Sequence, residues 1–160
     1  MGSGGSLSVT QEQSNRGLLV KIVGAIEENV DLETLIGPVS GLLQIHCRGI
    51  TRINSVGVKM WMRYFQSLHK KNIEIEFLEC SPAVVEQLNL ISNFTCGGNV
   101  VSILLPFVCT KCKNDFVASM TTQELRAAQL VIPALKCEKP ECAAEFDDDP
   151  SEYLYFLGNE

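Results

Sequence analysis

The sequence predicts a mixed α/β fold, a mixed β-sheet with helices on one face, followed by a short cysteine-rich segment. Strand-like apolar runs alternate with amphipathic helical patterns through the first two-thirds of the chain. Apolar residues make up 46% of the 160 residues, enough to bury a core. Four of the seven cysteines form two close pairs near the end. We therefore divide the chain into a flexible leader or vector-derived segment (1–6), an α/β domain (7–106) and a metal-stapled segment (107–160).

The start of the domain predicts a β-hairpin and a short helix. Residues 7–12 alternate weakly between apolar and polar side chains, and residues 18–23 form a second strand-like run. The intervening SNRG, residues 14–17, is typical of a tight turn. Asp31 can cap a short helix, which the following Gly37-Pro38 would end.

An alternation of strands and helices follows. Residues 42–47 (LLQIHC) predict a strand, and Asn54 or Ser55 then caps a helix that runs to about Lys71. The apolar positions of this helix fall at i, i+3, i+4, i+7 and i+10, and so share one face. They are Val58, Trp61, Met62, Phe65 and Leu68.

The rest of the domain completes the order β-β-α-β-α-β-α-β. Residues 73–78 (IEIEFL) alternate cleanly, and Ser81-Pro82 provides an N-cap followed by proline at the first helical position. Residues 100–105 predict the last strand. Right-handed crossovers then require a largely parallel sheet, to which the opening hairpin adds one antiparallel pair.

The segment 48–57 lies where α/β domains gather their binding sites, between a strand end and a helix start. Gly57 would let another chain approach the backbone in the first helical turn, and the helix N-terminus favours an anion. Simple helix capping by Asn54 or Ser55 and a flexible turn would explain the same residues.

Residues 50–62, ITRINSVGVKMWM, resemble the signature of STAS domains, the anti-sigma-factor antagonist fold shared with sulfate transporter tails. The resemblance covers about residues 7–106. It implies a bacterial signalling protein that binds an anti-sigma-like kinase or another regulator. In the family, the partner kinase phosphorylates the hydroxyl residue just before the motif glycine. Val56 occupies that position here, and Asn54 occupies the position of the motif aspartate.

Two interpretations of this departure stay open. Either the domain binds its partner without a phosphorylation switch, or Ser55 has taken over the switch. In both interpretations, residues 50–57 and the exposed side of the following helix offer an apolar tip, a helix N-terminus and a few cations. Such a surface would suit a protein partner with an acidic rim. The expected partner-binding residues are Ile53, Asn54, Ser55, Val56, Gly57, Lys59 and Arg63.

The two cysteine pairs predict a structural zinc site. Cys109 and Cys112 form a C-x2-C pair, Cys137 and Cys142 form a C-x4-C pair, and 24 residues separate them. Two short chelating turns can supply four thiolates to a tetrahedral ion and leave no open position for catalysis. A redox C-x2-C pair and a rubredoxin-like iron site are the competing interpretations.

The cysteine-rich segment resembles a zinc ribbon. Residues 117–120 and 131–136 would be its strands and residues 121–125 a helical or looped link, with Asn114 in the left-handed turn after the first pair. The acidic run 147–149 is interpreted as a solvated turn before a short helix, with a cation site as the alternative. The following apolar patch would dock onto the ribbon or the first domain; it comprises Tyr153, Leu154, Phe156 and Leu157.

Charge and composition narrow the function classes. Residues 1–106 carry eight basic and nine acidic side chains, a net of −1, whereas residues 107–160 carry five and ten, a net of −5. A nucleic-acid reader normally has a positive footprint, so a zinc-ribbon nucleic-acid binder is disfavoured. The absence of a bilayer-length apolar run and of a secretory signal favours the cytoplasm.

No grouping of residues predicts catalysis, so we expect a non-enzymatic protein. His46 is interpreted as a satisfied structural histidine. Cys47, Cys80 and Cys96 stand alone in apolar surroundings and are interpreted as small buried side chains.

Overall fold

The computed structural model describes residues 7–136 and 143–158 and has a mixed α/β architecture with two sheets. Its elements follow in chain order. They are β1 (Ser8–Gln13), β2 (Leu18–Ile26), α1 (Leu32–Ile36), β3 (Leu42–Ile53), α2 (Ser55–Lys70), β4 (Glu74–Leu78), α3 (Pro82–Leu90), β5 (Asn99–Val100), β6 (Ser102–Cys109), β7 (Asp115–Thr121), α4 (Thr122–Ala127), β8 (Leu135–Lys136), β9 (Ala143–Phe146), α5 (Pro150–Tyr153) and α6 (Tyr155–Gly158).

The first sheet is mixed and has the strand order β1-β2-β3-β4-β5. β1 pairs antiparallel with β2, and the other neighbours pair in parallel. The prediction of a mixed sheet is therefore confirmed. β3 is longer than predicted, because residues 48–53 stay paired with β2 as far as the contact between Ile26 and Ile53. The register shifts twice along this ladder, so the extension does not show as a simple alternation in the sequence.

One face of this sheet holds the core. Alternate residues of the central strands are buried, among them Ile22, Ile45 and Phe77. Trp61 of α2 stacks on Phe94 with ring centroids 4.9 Å apart, and its indole N–H donates to the carbonyl of that residue at 3.0 Å. The buried stripe predicted for α2 is confirmed for Trp61, Phe65 and Leu68, whereas Val58 and Met62 are only half-buried.

The predicted last strand, residues 100–105, is divided between two sheets. β5 contains only two residues, and β6 begins after Val101 and belongs to a four-stranded antiparallel sheet with the order β7-β6-β9-β8. The start of β6 still contacts the end of the first sheet, because Cys80 forms a parallel bridge with Ile103. The predicted domain division after Pro106 falls inside β6.

The two sheets share one hydrophobic core. Ile103, Leu105 and Phe107 of β6 belong to the same cluster of buried side chains as Trp61. β7 extends the predicted strand 117–120 at both ends, and Thr121 caps α4 through a capping box with Glu124. Of the predicted strand 131–136, only Leu135 and Lys136 form a strand, β8, which pairs with β9.

The C-terminal tail packs against the second sheet and helix α3. The Tyr153 hydroxyl donates to the carbonyl of Leu104 in β6 at 2.6 Å. Asn89 of α3 donates its amide to the carbonyl of Tyr153 at 3.0 Å and accepts from the backbone N–H of Phe156 at 2.9 Å. Asp149 caps α5 through Ser151, which agrees with an acidic turn before a helix. Within residues 7–136 and 143–158, no helix is both long enough and apolar enough to cross a membrane.

Candidate docking surface and candidate metal centre

The corner between β3 and α2 is held by Asn54. Its backbone N–H donates to the carbonyl of Ile26 at 3.2 Å, and its side-chain oxygen accepts from the N–H of Gly57 at 2.8 Å. The side-chain amide also donates to the Glu28 carboxylate at 2.8 Å. Of the two predicted caps, the structure therefore selects Asn54, which fixes the end of β3 and the start of α2 together.

Gly57 permits a close approach, but the approaching chain is β2 of the same protein. A Cβ atom at Gly57 would lie 2.0 Å from the carbonyl oxygen of Ile26, far inside any normal contact. Gly57 is buried in this position. The expectation that Gly57 opens the backbone to a partner is therefore wrong: the space is already filled by the chain's own strand.

The exposed part of the corner is smaller than predicted. Ile50 and Ile53 are 1% and 6% exposed, so the apolar tip expected there is buried in the core. Ile53 thus offers no side-chain surface to a partner, and its carbonyl faces Gln87 at 3.5 Å. Of the apolar residues in this segment, Val56 is half-buried and keeps part of its side chain on the surface, next to the exposed Ser55.

The exposed side of α2 is cationic. Lys59 and Arg63 are exposed and lie one helical turn apart, so their side chains share one face. Neither forms a salt bridge with any of the residues that the structure describes. Arg52 at the end of β3 is instead paired with Glu27, with Nε and Oε2 3.2 Å apart. A partner with carboxylates could therefore pair with Lys59 and Arg63 without breaking an existing ion pair.

The first cysteine pair forms a tight turn at the end of β6. Cys109 is buried, Cys112 is half-buried, and the backbone N–H of Cys112 donates to the sulfur of Cys109 at 3.4 Å. Such a bond favours the thiolate that binds a metal. The residue in the left-handed conformation is Lys113, with φ of 63°, rather than the predicted Asn114. Asn114 closes the turn through its carbonyl, which accepts from the N–H of Cys109 at 2.8 Å.

Cys137 and Cys142 lie outside the described residues, but the residues that flank them are described. Lys136 of β8 pairs with Ala143 of β9. The carbonyl of Ala143 accepts from the backbone N–H of Thr110, next to Cys109, at 3.2 Å. The strand pairing therefore brings both ends of the second pair's segment to the first pair. The described residues contain no cluster of three or more metal ligands, and they include only two of the four predicted cysteines.

Sequence analysis missed a polar cluster where β3 and β4 end. Nε2 of His46 lies 2.9 Å from Oε1 of Glu79, and Nη1 of Arg48 lies 3.6 Å from the same oxygen. Nδ1 of His46 is buried and has no partner among the described residues, so only one side of the predicted structural histidine is satisfied. Strand alternation could have placed His46 and Arg48 on the same face of β3. Glu79 reaches them because its backbone is in the left-handed conformation, with φ of 48°, which the sequence does not indicate.

The three isolated cysteines are buried, as predicted. Cys47 and Cys80 are fully inaccessible and Cys96 is 2% exposed. Burial raises the pKa of Cys47 well above its usual value, and the neighbouring Cys80 raises it further. Burial also raises the pKa of Cys96. Neutral thiols in apolar surroundings act as packing groups rather than nucleophiles.

The comparisons with known proteins give no assignment. No family model matches the chain, and a search of curated proteins finds no match either.

Proposed function

We propose that this chain is a non-enzymatic protein-interaction module of a bacterial signalling system. Its docking surface would consist of the exposed residues at the start of α2: Ser55, Val56, Lys59 and Arg63. Asn54 and Gly57 would position this surface rather than contact the partner. The observation that carries the proposal is the partly exposed Val56, held on a corner that is capped by Asn54 and packed against β2.

The chemistry of the surface defines a complementary partner. Val56 has no group that accepts a phosphate, although the STAS resemblance gives its position to the phosphorylated residue. An apolar side chain there makes the contact constant rather than switchable. Lys59 and Arg63 would pair with carboxylates around an apolar socket on the partner. An anti-sigma-like kinase or a related regulator with that surface fits the proposal.

Val56→Glu tests the proposal because it puts a charge where a relative would carry phosphate. The partner is first isolated from the native cell with the wild-type chain, and its affinity for each variant is then measured by calorimetry. We expect at least a tenfold loss, about 1.4 kcal/mol, since a buried unpaired carboxylate opposes binding. The fold should survive, because an acidic side chain in the first turn of a helix interacts favourably with the helix dipole.

Val117→Glu is the matched control. Val117 is an exposed valine on β7, 38% accessible, and lies outside the proposed surface. We expect it to bind the partner like the wild type. Equal affinity of the wild type and Val56→Glu would remove the corner as the docking site, provided that both proteins show the same thermal unfolding midpoint.

A switchable antagonist that uses Ser55 is the second candidate. Ser55 is exposed at the first position of α2, and its hydroxyl makes no hydrogen bond with the described residues. Because Asn54 provides the cap, phosphorylation of Ser55 would leave the cap intact, and a phosphate at a helix N-terminus is favourable. Co-expression with the partner kinase and intact mass measurement decide the matter: one added phosphate that Ser55→Ala abolishes would favour this candidate.

We further propose that Cys109, Cys112, Cys137 and Cys142 hold a structural Zn²⁺. Bound zinc would supply cross-linking free energy of about 10 kcal/mol to the segment after β6. The proposal is supported by the N–H bond to the sulfur of Cys109 and by the pairing of Lys136 with Ala143 beside Thr110. A zinc ribbon that binds nucleic acid stays disfavoured, because residues 107–160 carry a net charge of −5, from five basic and ten acidic side chains.

Elemental analysis of the purified protein tests the metal. We expect one zinc per chain in the wild type and a loss of zinc in Cys112→Ser. Cys96→Ser, which removes a buried cysteine from the shared hydrophobic core, should keep its zinc. A coloured protein with one iron per chain would replace zinc by a rubredoxin-like site, and a metal-free wild type would reject the centre altogether.

A further inference from the structure

An apolar groove runs between the segment after α4 and the C-terminal tail. It consists of two adjoining cavities of about 410 and 500 Å³, both lined by Leu130 and Pro150. The first cavity continues to Leu154 and Tyr155 of the tail, and the second continues to Ile132. We call this feature the tail groove. It belongs to neither the corner of α2 nor the cysteine pairs.

The tail groove leaves large apolar side chains exposed to solvent. Val131 is 66% and Tyr155 is 57% exposed, although both line the groove. Leu130, Ile132 and Phe146 are only half-buried beside them. A contiguous group of exposed apolar residues is typical of an interaction site, whereas single exposed apolar residues are common on any surface.

The backbone holds this arrangement in place. Gln129 and Leu130 both have positive φ, 56° and 63°, a conformation that two consecutive residues with side chains rarely adopt. The backbone N–H of Gln129 donates to the carbonyl of Arg126 at 3.0 Å, and that of Leu130 donates to the carbonyl of Leu125 at 2.8 Å. These bonds close the end of α4 and turn the chain so that Val131 points away from the core. A strained turn retained at an exposed apolar site points to function.

The rim of the tail groove is acidic. Glu145 lines the second cavity, and the exposed run 147–149 leads directly into Pro150. With Glu152, the segment from Glu145 to Glu152 carries five carboxylates and no lysine or arginine. Glu145 lines the groove itself, whereas the carboxylate of Asp149 accepts hydrogen bonds from Ser151 as the cap of α5. None of the five forms a salt bridge within residues 7–136 and 143–158. The rim would repel nucleic acid and anionic membranes, and it would attract cations.

We propose that the tail groove binds a cationic segment of a partner protein. A bulky apolar side chain of that segment seats between Leu130 and Pro150, while its lysines and arginines face the carboxylates of the rim. The groove thereby gives the molecule a second docking surface with the opposite charge preference to that of α2. The inference does not depend on the function proposed for the α2 corner.

Selection from a display library of random short peptides tests this inference on the full-length protein. We expect the enriched peptides to combine lysine or arginine with bulky apolar residues. The best peptide is then synthesised with a fluorescent label, and its dissociation constant is measured by anisotropy at low and high salt. Affinity should fall with added salt, because the rim carboxylates act over distances that salt screens. Enrichment of acidic or purely polar peptides would overturn the proposal.

Substitutions at exposed positions locate the binding site without disturbing the fold. We expect Val131→Ser and Tyr155→Ser each to weaken the peptide by about tenfold, and Glu145→Lys to weaken it most at low salt. Leu35→Ser and Glu86→Lys are the matched controls, since Leu35 on α1 is 42% exposed and Glu86 on α3 is exposed. Val56→Glu should leave peptide affinity unchanged. Equal losses in the control variants, or none in the groove variants, would refute the tail groove as the site.

Discussion

Replacing Gly57 with alanine tests how tightly α2 is fixed to the end of β2. The added Cβ would lie 2.0 Å from the carbonyl oxygen and 2.7 Å from the carbonyl carbon of Ile26. Both atoms belong to the backbone of a buried strand, so no flexible side chain can move aside. The start of α2 must therefore shift away from β2, and the hydrogen bonds of the corner must lengthen.

The structure allows the cost to be estimated. Overpacking of a buried site destabilises a protein by about 1–3 kcal/mol. Lengthening the bonds from Asn54 to Ile26 and from Gly57 to Asn54 adds about 0.5–1.5 kcal/mol for each bond. The better helix propensity of alanine returns at most about 1 kcal/mol. We expect a net loss of about 3 kcal/mol, which lowers the melting temperature of a chain of this size by about 6–12 °C.

Urea unfolding followed by tryptophan fluorescence measures this loss, because Trp61 lies in the core on the same helix. Gly158→Ala is the matched control: its Cβ would meet only Leu130, at 3.8 Å, an ordinary contact. We expect that variant to stay within about 0.5 kcal/mol of the wild type. If Gly57→Ala were as stable as Gly158→Ala, the close packing of α2 on β2 and the positioning of the docking surface derived from it would be refuted.

Two further predictions concern the tail and the buried tyrosines. Asn89→Ala removes two hydrogen bonds between α3 and the tail. We expect the free energy of unfolding in urea to fall by about 1–2 kcal/mol and proteolysis after residue 149 to become faster. Equal proteolysis rates in the variant and the wild type would contradict the docked tail. Burial, aided by Glu33, raises the pKa of Tyr64 to about 12, and burial, aided by Asp148, also raises that of Tyr153. Because the unfolded tyrosines ionise near about pH 10, stability should be full below that pH and fall as the pH rises from about 10 towards 12; Tyr64→Phe should reduce this fall, and an identical pH profile would contradict it.

Local signals in the sequence predicted the helix starts well. Asp31, Asn54 and Ser81 each cap the helix that was expected after them, because an N-cap depends on one side chain and the next turn of backbone. The opening hairpin was also predicted, since its turn and both strands are close in the chain. These features need no knowledge of distant contacts.

The errors arise where distant contacts decide. Residues 48–53 were expected to form a loop, yet β2 is long enough to keep them paired. The apolar run after Asn99 is equally compatible with one strand or two, and the contact of Ile103 with Cys80 separates β5 from β6. Gly57 was assigned to a partner's approach because the sequence does not show that Ile26 already occupies that space.

The continuity of β6 has a consequence for the metal proposal. β6 begins beside Cys80 at the end of the first sheet and ends at Cys109, and its residues Ile103, Leu105 and Phe107 belong to the same core as Trp61. The tail reinforces this connection through Tyr153 and Leu104. A metal that binds only the folded state stabilises every element that unfolds with its ligands. Zinc at the end of β6 would therefore stabilise the α2 corner as well. Removal of the metal should then lower the stability of the proposed docking surface and not only that of the segment proposed to hold the ion.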